Sequence, residues 1–226
     1  ALKVIETKDA SEKLKKMVEN ERQLMQSLNH INIILYKESF YDNTKLCLAM
    51  EYCPGGTLYE HIRISGEGLP ERTFLSYLRQ IAEGVKYLHS KSIIHRDLKS
   101  KNILLKEPSK TTIKIADFGV ARIITDACPI QDRTRFVGTV HFMSPEMIES
   151  KSYTNKTDIW SIGCTCVEMG TAKYAFSGSY LPQIKELVNN VKVSTVRMIE
   201  FNNINVLFNV MVRRESSTGL DRSTHS

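Results

Sequence analysis

Apolar and polar positions along the first fifty residues predict strands and one amphipathic helix. A short apolar run at residues 1–5 predicts a strand. Residues 9–28 predict a helix, because apolar side chains recur near one face between Lys and Glu residues. That face comprises Leu14, Val18, Leu24, Met25 and Leu28. The runs Ile33–Tyr36 and Leu46–Met50 predict two further strands around a turn at residues 42–43.

The rest of the chain has mainly helical patterns. Residues 71–90 predict a long helix that begins directly after a proline. Its predicted apolar face comprises Leu75, Leu78, Ile81, Ala82, Val85 and Leu88. Two short apolar runs follow at 102–105 and 112–115, and a loop rich in Arg and Thr covers residues 120–145. Asp158–Met169 predicts an apolar helix.

Because strands dominate early and helices later, we predict an α+β protein with two lobes joined near Cys53. The residues Pro54, Gly55 and Gly56 interrupt the pattern there. We expect a small lobe at residues 1–52 and a mainly helical large lobe at residues 53–195. Residues 196–226 diverge in character and end in a polar stretch, which predicts a disordered tail.

Composition and charge narrow the classes of protein. The chain has 226 residues, 42% of them hydrophobic and 25% charged, which is typical of a globular protein rather than a fibrous or disordered one. The net charge of +6 suits a phosphate-rich ligand or an acidic partner. No apolar run is long enough to predict a membrane span, and no secretory signal is visible. The five cysteines lack zinc-site spacing, which favours reduced thiols in a cytoplasmic or nuclear protein.

The residues that carry chemistry lie between positions 95 and 146. Residues 95–102, HRDLKSKN, match the pattern H-R-D-L-x-x-x-N at every fixed position. Asp117–Gly119 follows a short apolar run, and Ser144–Glu146 comes later, in the order of the kinase signature. Over about residues 1 to 190, the sequence therefore resembles a eukaryotic protein kinase domain of the serine/threonine type.

This resemblance implies the two-lobed protein-kinase fold and ATP-dependent phosphorylation of Ser and Thr hydroxyls on protein substrates. Asp97 would orient the substrate hydroxyl and accept its proton. Asp117 and Asn102 would hold Mg²⁺, since hard oxygen ligands suit this ion. Lys99 would place a cation beside the transferred phosphate, and a Lys at this position is typical of serine/threonine kinases. ATP and Mg²⁺ are therefore the expected cofactors.

The resemblance also predicts a nucleotide site. Lys3 resembles the end of the V-A-I-K motif, where it would contact the α- and β-phosphates and pair with a helical Glu. Glu21 is the preferred partner and Glu19 the alternative. Met50 would be the gatekeeper before the hinge. The remaining adenine contacts would be the side chains of Ala1 and Leu104 and the backbone of Glu51 and Cys53.

Residues 120–143 would form the activation loop. Phosphate on Thr134, added by an upstream activating kinase, would pair with Arg96 and order the loop. Thr125 is a competing phosphorylation site. Thr139 would hydrogen-bond near the catalytic residues and help to orient them.

Four further residues would have structural roles. His95 and Phe118 would stack with Met25 in a core that links the lobes. Asp158 would bond the backbone of the catalytic loop, near His95 and Arg96. Glu146 would pair with an Arg of the large lobe, for which we find no convincing counterpart after Asn190.

Two subfamilies share features with this sequence. Residues 138–146, 153–160 and 173–176 resemble NIMA-related kinases, whereas residues 158–169 resemble the MAP-kinase-kinase-kinase group. The first resemblance is slightly favoured.

No glycine-rich loop precedes Lys3, so we expect a partial kinase domain with an incomplete small lobe. The alternative to a working enzyme is a truncated kinase-like module, weak or inactive in catalysis, with a binding or regulatory role. A nucleic-acid-binding protein is disfavoured, because it depends on the +6 charge alone.

Overall fold

The computed structural model describes residues 1–6, 12–118, 122–123, 140–149, 152, 154–176 and 186. The first described part is an antiparallel sheet with strand order β1-β3-β2 and a neighbouring helix. Its elements are β1 (Leu2–Glu6), α1 (Glu12–Gln26), β2 (Tyr36–Asp42) and β3 (Lys45–Met50). Asn43 has a φ of 53° in the turn between β2 and β3, a conformation that Asn tolerates well.

The second part is mainly helical and carries two short antiparallel ladders. Its helices are α2 (Leu58–Ser65), α3 (Glu71–Ser90), α4 (Pro145–Ile148) and α5 (Lys156–Thr171). Its strands are β4 (Ile93–Ile94), β5 (Ile103–Leu105), β6 (Ile113–Ile115) and β7 (Arg122–Ile123), which pair β4 with β7 and β5 with β6. Single 3₁₀ turns lie at Ser100–Asn102 and Val140–Phe142. Among the described helices, none combines the length and apolar character that crossing a membrane requires.

One apolar core runs through both parts. It joins Leu24 and Met25 of α1 and Leu48 of β3 to Leu88 of α3 and Met169 of α5. Within this cluster lies Phe118, which is 1% exposed. Because buried apolar area is the main favourable term in folding, this shared core fixes the sheet against the helices, with the catalytic loop between them.

The structure confirms the predicted α+β class and the long helix, which runs from Glu71 to Ser90. Its apolar face is rotated from the predicted one. Phe74 and Tyr77 are buried, whereas Leu75 is 41% exposed. The aromatic positions continue the spacing of Ile81, Val85 and Leu88, so they rather than Leu75 face the core.

The predicted strand at Ile33–Tyr36 is wrong, since β2 begins at Tyr36 and ends at Asp42. Ile33 and Ile34 are nevertheless buried, because this loop packs against β6 and Ile33 bridges Ile115. A short apolar run indicates that its residues are buried, but it does not distinguish a strand from a buried loop. Helix α2 was not predicted, although Thr57 and Glu60 form a complete capping box at its start.

Candidate active site

Asp97 lies in the loop between β4 and β5, and two neighbours bond its carboxylate. Lys99 Nζ lies 2.7 Å from Asp97 Oδ2. Asn102 Nδ2 donates to the same oxygen at 2.9 Å and to the Asp97 backbone carbonyl at 2.8 Å. Charge-assisted and paired bonds of this kind fix a carboxylate in one orientation. The structure thus brings together the three predicted catalytic residues.

The backbone of this loop is anchored by Asp158, a fully buried residue in the first turn of α5. Its Oδ2 accepts from the backbone N–H of His95, and its Oδ1 accepts from the N–H of Arg96, both at 2.9 Å. His89 Nε2 lies 2.8 Å from Oδ2. Arg96 has a φ of 71°, which is costly for a residue with a side chain. The predicted contacts of Asp158 are therefore present, and they stabilise an unfavourable backbone conformation.

His95 connects the loop to the end of β6. Its Nδ1 accepts from the N–H of Asp97 at 3.3 Å, so Nε2 carries the proton and donates to the Ala116 carbonyl at 3.1 Å. The His95 ring lies 5.1 Å from the Phe118 ring, centroid to centroid. Met25 is buried in the same core cluster as Phe118. These contacts place the Asp97 and Asp117 segments side by side.

Lys3 joins the sheet to the Asp117 segment. Its Nζ lies 2.7 Å from Glu21 Oε1 and 3.1 Å from Asp117 Oδ1. Although burial opposes the charge on Lys3, the two carboxylates outweigh it and raise the pKa of the amine. The alternative partner, Glu19, instead bonds Arg22 on its own helix. The contact between Lys3 and Glu21 is the one that the sequence favoured.

Asn102 and Asp117 lie at the same end of the β5–β6 hairpin. Ala116 N–H donates to the Asn102 carbonyl at 2.9 Å, which places Asp117 one residue from that contact. The Asn102 amide nitrogen makes both bonds to Asp97, so the amide oxygen takes no part in them. The Asp117 side chain is 50% exposed. One carboxylate and one amide oxygen fit Mg²⁺, which is usually held by few protein ligands together with substrate phosphates.

The predicted adenine contacts lie around the end of β3. The backbones of Ala1 and Met50 are paired, with Met50 N–H donating to the Ala1 carbonyl at 2.8 Å. Cys53 and Leu104 are partly buried and pack against the core. A Cβ on Gly55 would come within 2.5 Å of the Leu105 carbonyl, so only glycine allows this close approach.

Sequence reasoning missed a buried ion pair behind this segment. Lys114 Nζ lies 2.6 Å from Glu51 Oε1, with 7% and 14% of the side chains exposed. The same Glu51 oxygen accepts from Leu35 N–H at 2.7 Å, and Lys114 donates to the Ile33 carbonyl at 3.2 Å. The available signal was a Lys in the middle of the apolar strand β6. A buried Lys almost always has a charged partner.

Other predicted residues have different or undescribed surroundings. Glu146 Oε1 accepts from Thr157 Oγ1 at 2.7 Å, a contact that the sequence did not suggest. The predicted regulatory residues Thr134, Thr125 and Thr139 lie outside the described residues. The described cysteines, 47, 53, 164 and 166, are free thiols, and burial raises the pKa of Cys164 and Cys166.

Comparison with known proteins supports the same family. The family described as protein kinase domain matches residues 1–217, which extends past the last motif that the sequence analysis identified. Serine/threonine-protein kinase Nek5 of Homo sapiens is 39% identical over 181 residues, covering 80% of this chain and 24% of that protein. Nek4 of Mus musculus is 37% identical over 178 residues, covering 78% and 22%. Nek8 of Danio rerio is 40% identical over 167 residues, covering 74% and 23%.

The chain therefore spans about a quarter of the length of these curated relatives. Their names support the NIMA-related alternative over the MAP-kinase-kinase-kinase one. The motifs, the arrangement of Lys3, Asp97 and Asp117, and the match over residues 1–217 agree. The chain belongs to the protein kinase family and is similar to its NIMA-related serine/threonine kinases.

Proposed function

We propose that this protein transfers the γ-phosphoryl group of ATP to Ser and Thr hydroxyls of protein substrates, with Asp97 as the catalytic base. The observation that supports this proposal best is the orientation of the Asp97 carboxylate by Lys99 and Asn102. A catalytic base has to lie within hydrogen-bond reach of the proton that it accepts. A carboxylate fixed by two donors keeps one orientation, so it could accept that proton without rearranging.

The two oxygens of the Asp97 carboxylate have different roles in this proposal. Lys99 and Asn102 both bond Oδ2, so Oδ1 is the oxygen proposed to accept the proton of the substrate hydroxyl. Lys99 would then lie beside the phosphoryl group in transit and stabilise its charge. Phosphoryl transfer needs little covalent help from the protein, so this positioning is the main contribution that we assign to the loop.

Lys3 would bind the nucleotide phosphates, and Glu21 would orient its amine. The Glu21 side chain is 7% exposed, which limits its movement, whereas the Lys3 side chain is 35% exposed and can reach a ligand. Asp117 and Asn102 would hold Mg²⁺, which when bound neutralises phosphate charge. We also propose that an upstream kinase activates the protein through Thr134, with Arg96 as the partner of the phosphate.

The test is transfer of labelled phosphate from ATP and Mg²⁺ to a mixture of Ser- and Thr-containing peptides. The Asp97→Asn variant should lose about 10²–10⁴-fold in rate, the usual contribution of acid–base catalysis. Asp42→Asn is the matched control, because Asp42 is exposed on the far end of β2 and should leave the rate unchanged.

Thermal unfolding with and without ATP completes the test, since a ligand that binds the folded state raises its melting temperature. Stabilisation by ATP without transfer by the unmodified protein would support the alternative of an inactive kinase-like module. Undiminished transfer by Asp97→Asn would show that Asp97 is not the base.

A further inference from the structure

An exposed cationic surface lies beside the catalytic loop. Lys101, which is exposed and sits between Ser100 and Asn102 of that loop, has its Nζ 4.7 Å from the centroid of the Tyr59 ring on α2. Arg63, one turn further along α2, has its Cζ 4.9 Å from the same ring. Two cations thus share one aromatic ring next to the loop that carries Asp97. We call Tyr59, Arg63 and Lys101, together with Tyr174, the Tyr59 surface.

Aromatic contacts restrict the Arg63 side chain. Its guanidinium also lies 5.1 Å from the centroid of the Tyr174 ring, so tyrosines from two distant parts of the chain flank it. It donates to the Ala172 carbonyl as well. Cation–π contacts and a fixed backbone acceptor reduce the rotamers open to Arg63. A preorganised cation loses little conformational entropy when a ligand binds.

Two carboxylates, those of Glu168 and Glu60, lie near these cations. Glu168 contacts Arg63 with a separation of 3.2 Å and offsets part of its charge, but the Glu168 side chain is fully buried and cannot itself meet a ligand. Glu60 is exposed in the first turn of α2, where its carboxylate accepts from Thr57 N–H, whereas Arg63 lies in the last turn. One of these carboxylates is therefore buried and the other is held at the start of α2, so Lys101 and Arg63 are the charges that a ligand at this end of the surface would meet.

We propose that the Tyr59 surface binds an anionic side chain of the protein substrate and makes the kinase prefer phosphorylation sites that have an acidic neighbour. The inference rests on the proposed function, because it requires the acceptor hydroxyl to lie at Asp97. Lys101 is four residues from Asp97, and both Lys99 and Asn102 of the same loop bond Asp97 directly. The inference requires a substrate segment bound at Asp97 to pass within range of the two cations, where a carboxylate would be attracted and a Lys or Arg repelled.

The experiment measures kcat/KM for peptides that contain one Ser and differ at a single flanking position, scanned along the peptide with Glu, Gln or Lys. We expect at least one position at which Glu exceeds Lys by about five- to tenfold, from two exposed charge pairs. The preference should shrink at high salt, which screens exposed charges. A peptide with phosphoserine at that position tests the same chemistry, and a preference for either anion over Gln supports the inference.

Variants of Lys101 and Arg63 test whether the preference for an acidic neighbour arises from the Tyr59 surface. Lys101→Gln should lower the ratio of kcat/KM for the Glu peptide over the Lys peptide about threefold, and Lys101→Glu should reverse that ratio in favour of Lys. Lys91→Gln is the matched control, because Lys91 is also exposed and lies 5.4 Å from the centroid of a tyrosine ring, that of Tyr87, outside the catalytic loop. Arg63→Gln is a secondary variant, since removing Arg63 leaves the buried Glu168 without its cation and can affect folding.

The outcomes separate this inference from the proposed function. Equal kcat/KM for the Glu, Gln and Lys peptides at every position would overturn the inference and leave the kinase activity established. An acidic preference that survives in Lys101→Glu would also overturn it. Absence of transfer to every peptide would overturn the proposed function and with it this inference.

Discussion

Replacing Asp158 with Ala should destabilise the protein strongly, because three donors lose their acceptor at once. The Asp158 carboxylate is fully buried and accepts from the backbone N–H groups of His95 and Arg96, each at 2.9 Å, and contacts His89 Nε2 at 2.8 Å. A buried donor left without a partner costs about 1–3 kcal/mol. For the two backbone groups alone, we expect a loss of about 2–6 kcal/mol in the free energy of unfolding. That is a large share of the 5–15 kcal/mol typical of a folded domain.

Asp158→Asn removes one of the two acceptors for the backbone N–H groups and keeps the other. Asn keeps one side-chain oxygen and can still accept from one backbone N–H, but its amide group would point donors at the other. We therefore expect a loss of about 1–3 kcal/mol, smaller than for Ala. The rate of phosphoryl transfer should fall by more than the loss of folded protein explains. The Asp158 carboxylate helps to keep Arg96 at its φ of 71°, and Arg96 directly precedes Asp97.

The assay is equilibrium urea unfolding followed by circular dichroism, with the slope m compared between variants. Asp42→Ala is the control, because an exposed acid on β2 should change the free energy of unfolding by no more than about 0.5 kcal/mol. The reasoning is refuted if Asp158→Ala is as stable as this control, or if the Asn variant is less stable than the Ala variant.

Three further predictions concern buried polar groups. Lys114→Met should cost about 3–5 kcal/mol by leaving Glu51 buried without its cation, and the added change Glu51→Gln should recover part of this loss in urea unfolding. Burial raises the pKa of Tyr77 to about 12, so the free energy of unfolding should fall between pH 10 and 12 as the unfolded chain ionises first. Tyr77→Phe should reduce this fall in the free energy of unfolding with pH, and an unchanged fall would contradict the role assigned to Tyr77. Burial raises the pKa of Glu168, so the charged carboxylate destabilises the folded state. Glu168→Gln should therefore raise the free energy of unfolding at pH 7 relative to the unmodified protein, and this gain should shrink as the pH falls to 4 and Glu168 becomes protonated.

The sequence predicted the catalytic loop well because its motif is local. Residues 95–102 contain Asp97 together with both side chains that bond it, so one segment defines most of the geometry. The long helix α3 was predictable for a similar reason, since its apolar positions recur over five turns. Which face of α3 is buried was not predictable, because both the aromatic positions 74 and 77 and the apolar position 75 could have faced the core. In the structure Phe74 and Tyr77 are buried and Leu75 is exposed.

Contacts between distant segments were harder to predict. Lys114 within an apolar strand indicates that it needs a charged partner, but the sequence does not identify Glu51, because only the folded structure brings β6 behind the end of β3. The position of Lys101 and Arg63 on one tyrosine ring likewise depends on how α2 packs against the catalytic loop. Periodicity reports which side chains are buried within an element, but it does not report which elements meet.

Burial also distinguishes the groups that position the site from those proposed to act on ligands. Asp158 is fully buried and Glu21 is 7% exposed, whereas the side chains of Lys3 and Asp117 are 35% and 50% exposed. A buried carboxylate is restrained by its surroundings and contacts protein groups, so it can orient a neighbour but cannot readily reach a substrate. Lys3 and Asp117 contact each other at 3.1 Å across 114 residues of chain, and both remain accessible. Their contact is therefore the one that a bound nucleotide would be expected to rearrange, while the bonds of Asp158 and Glu21 keep the surrounding backbone in place.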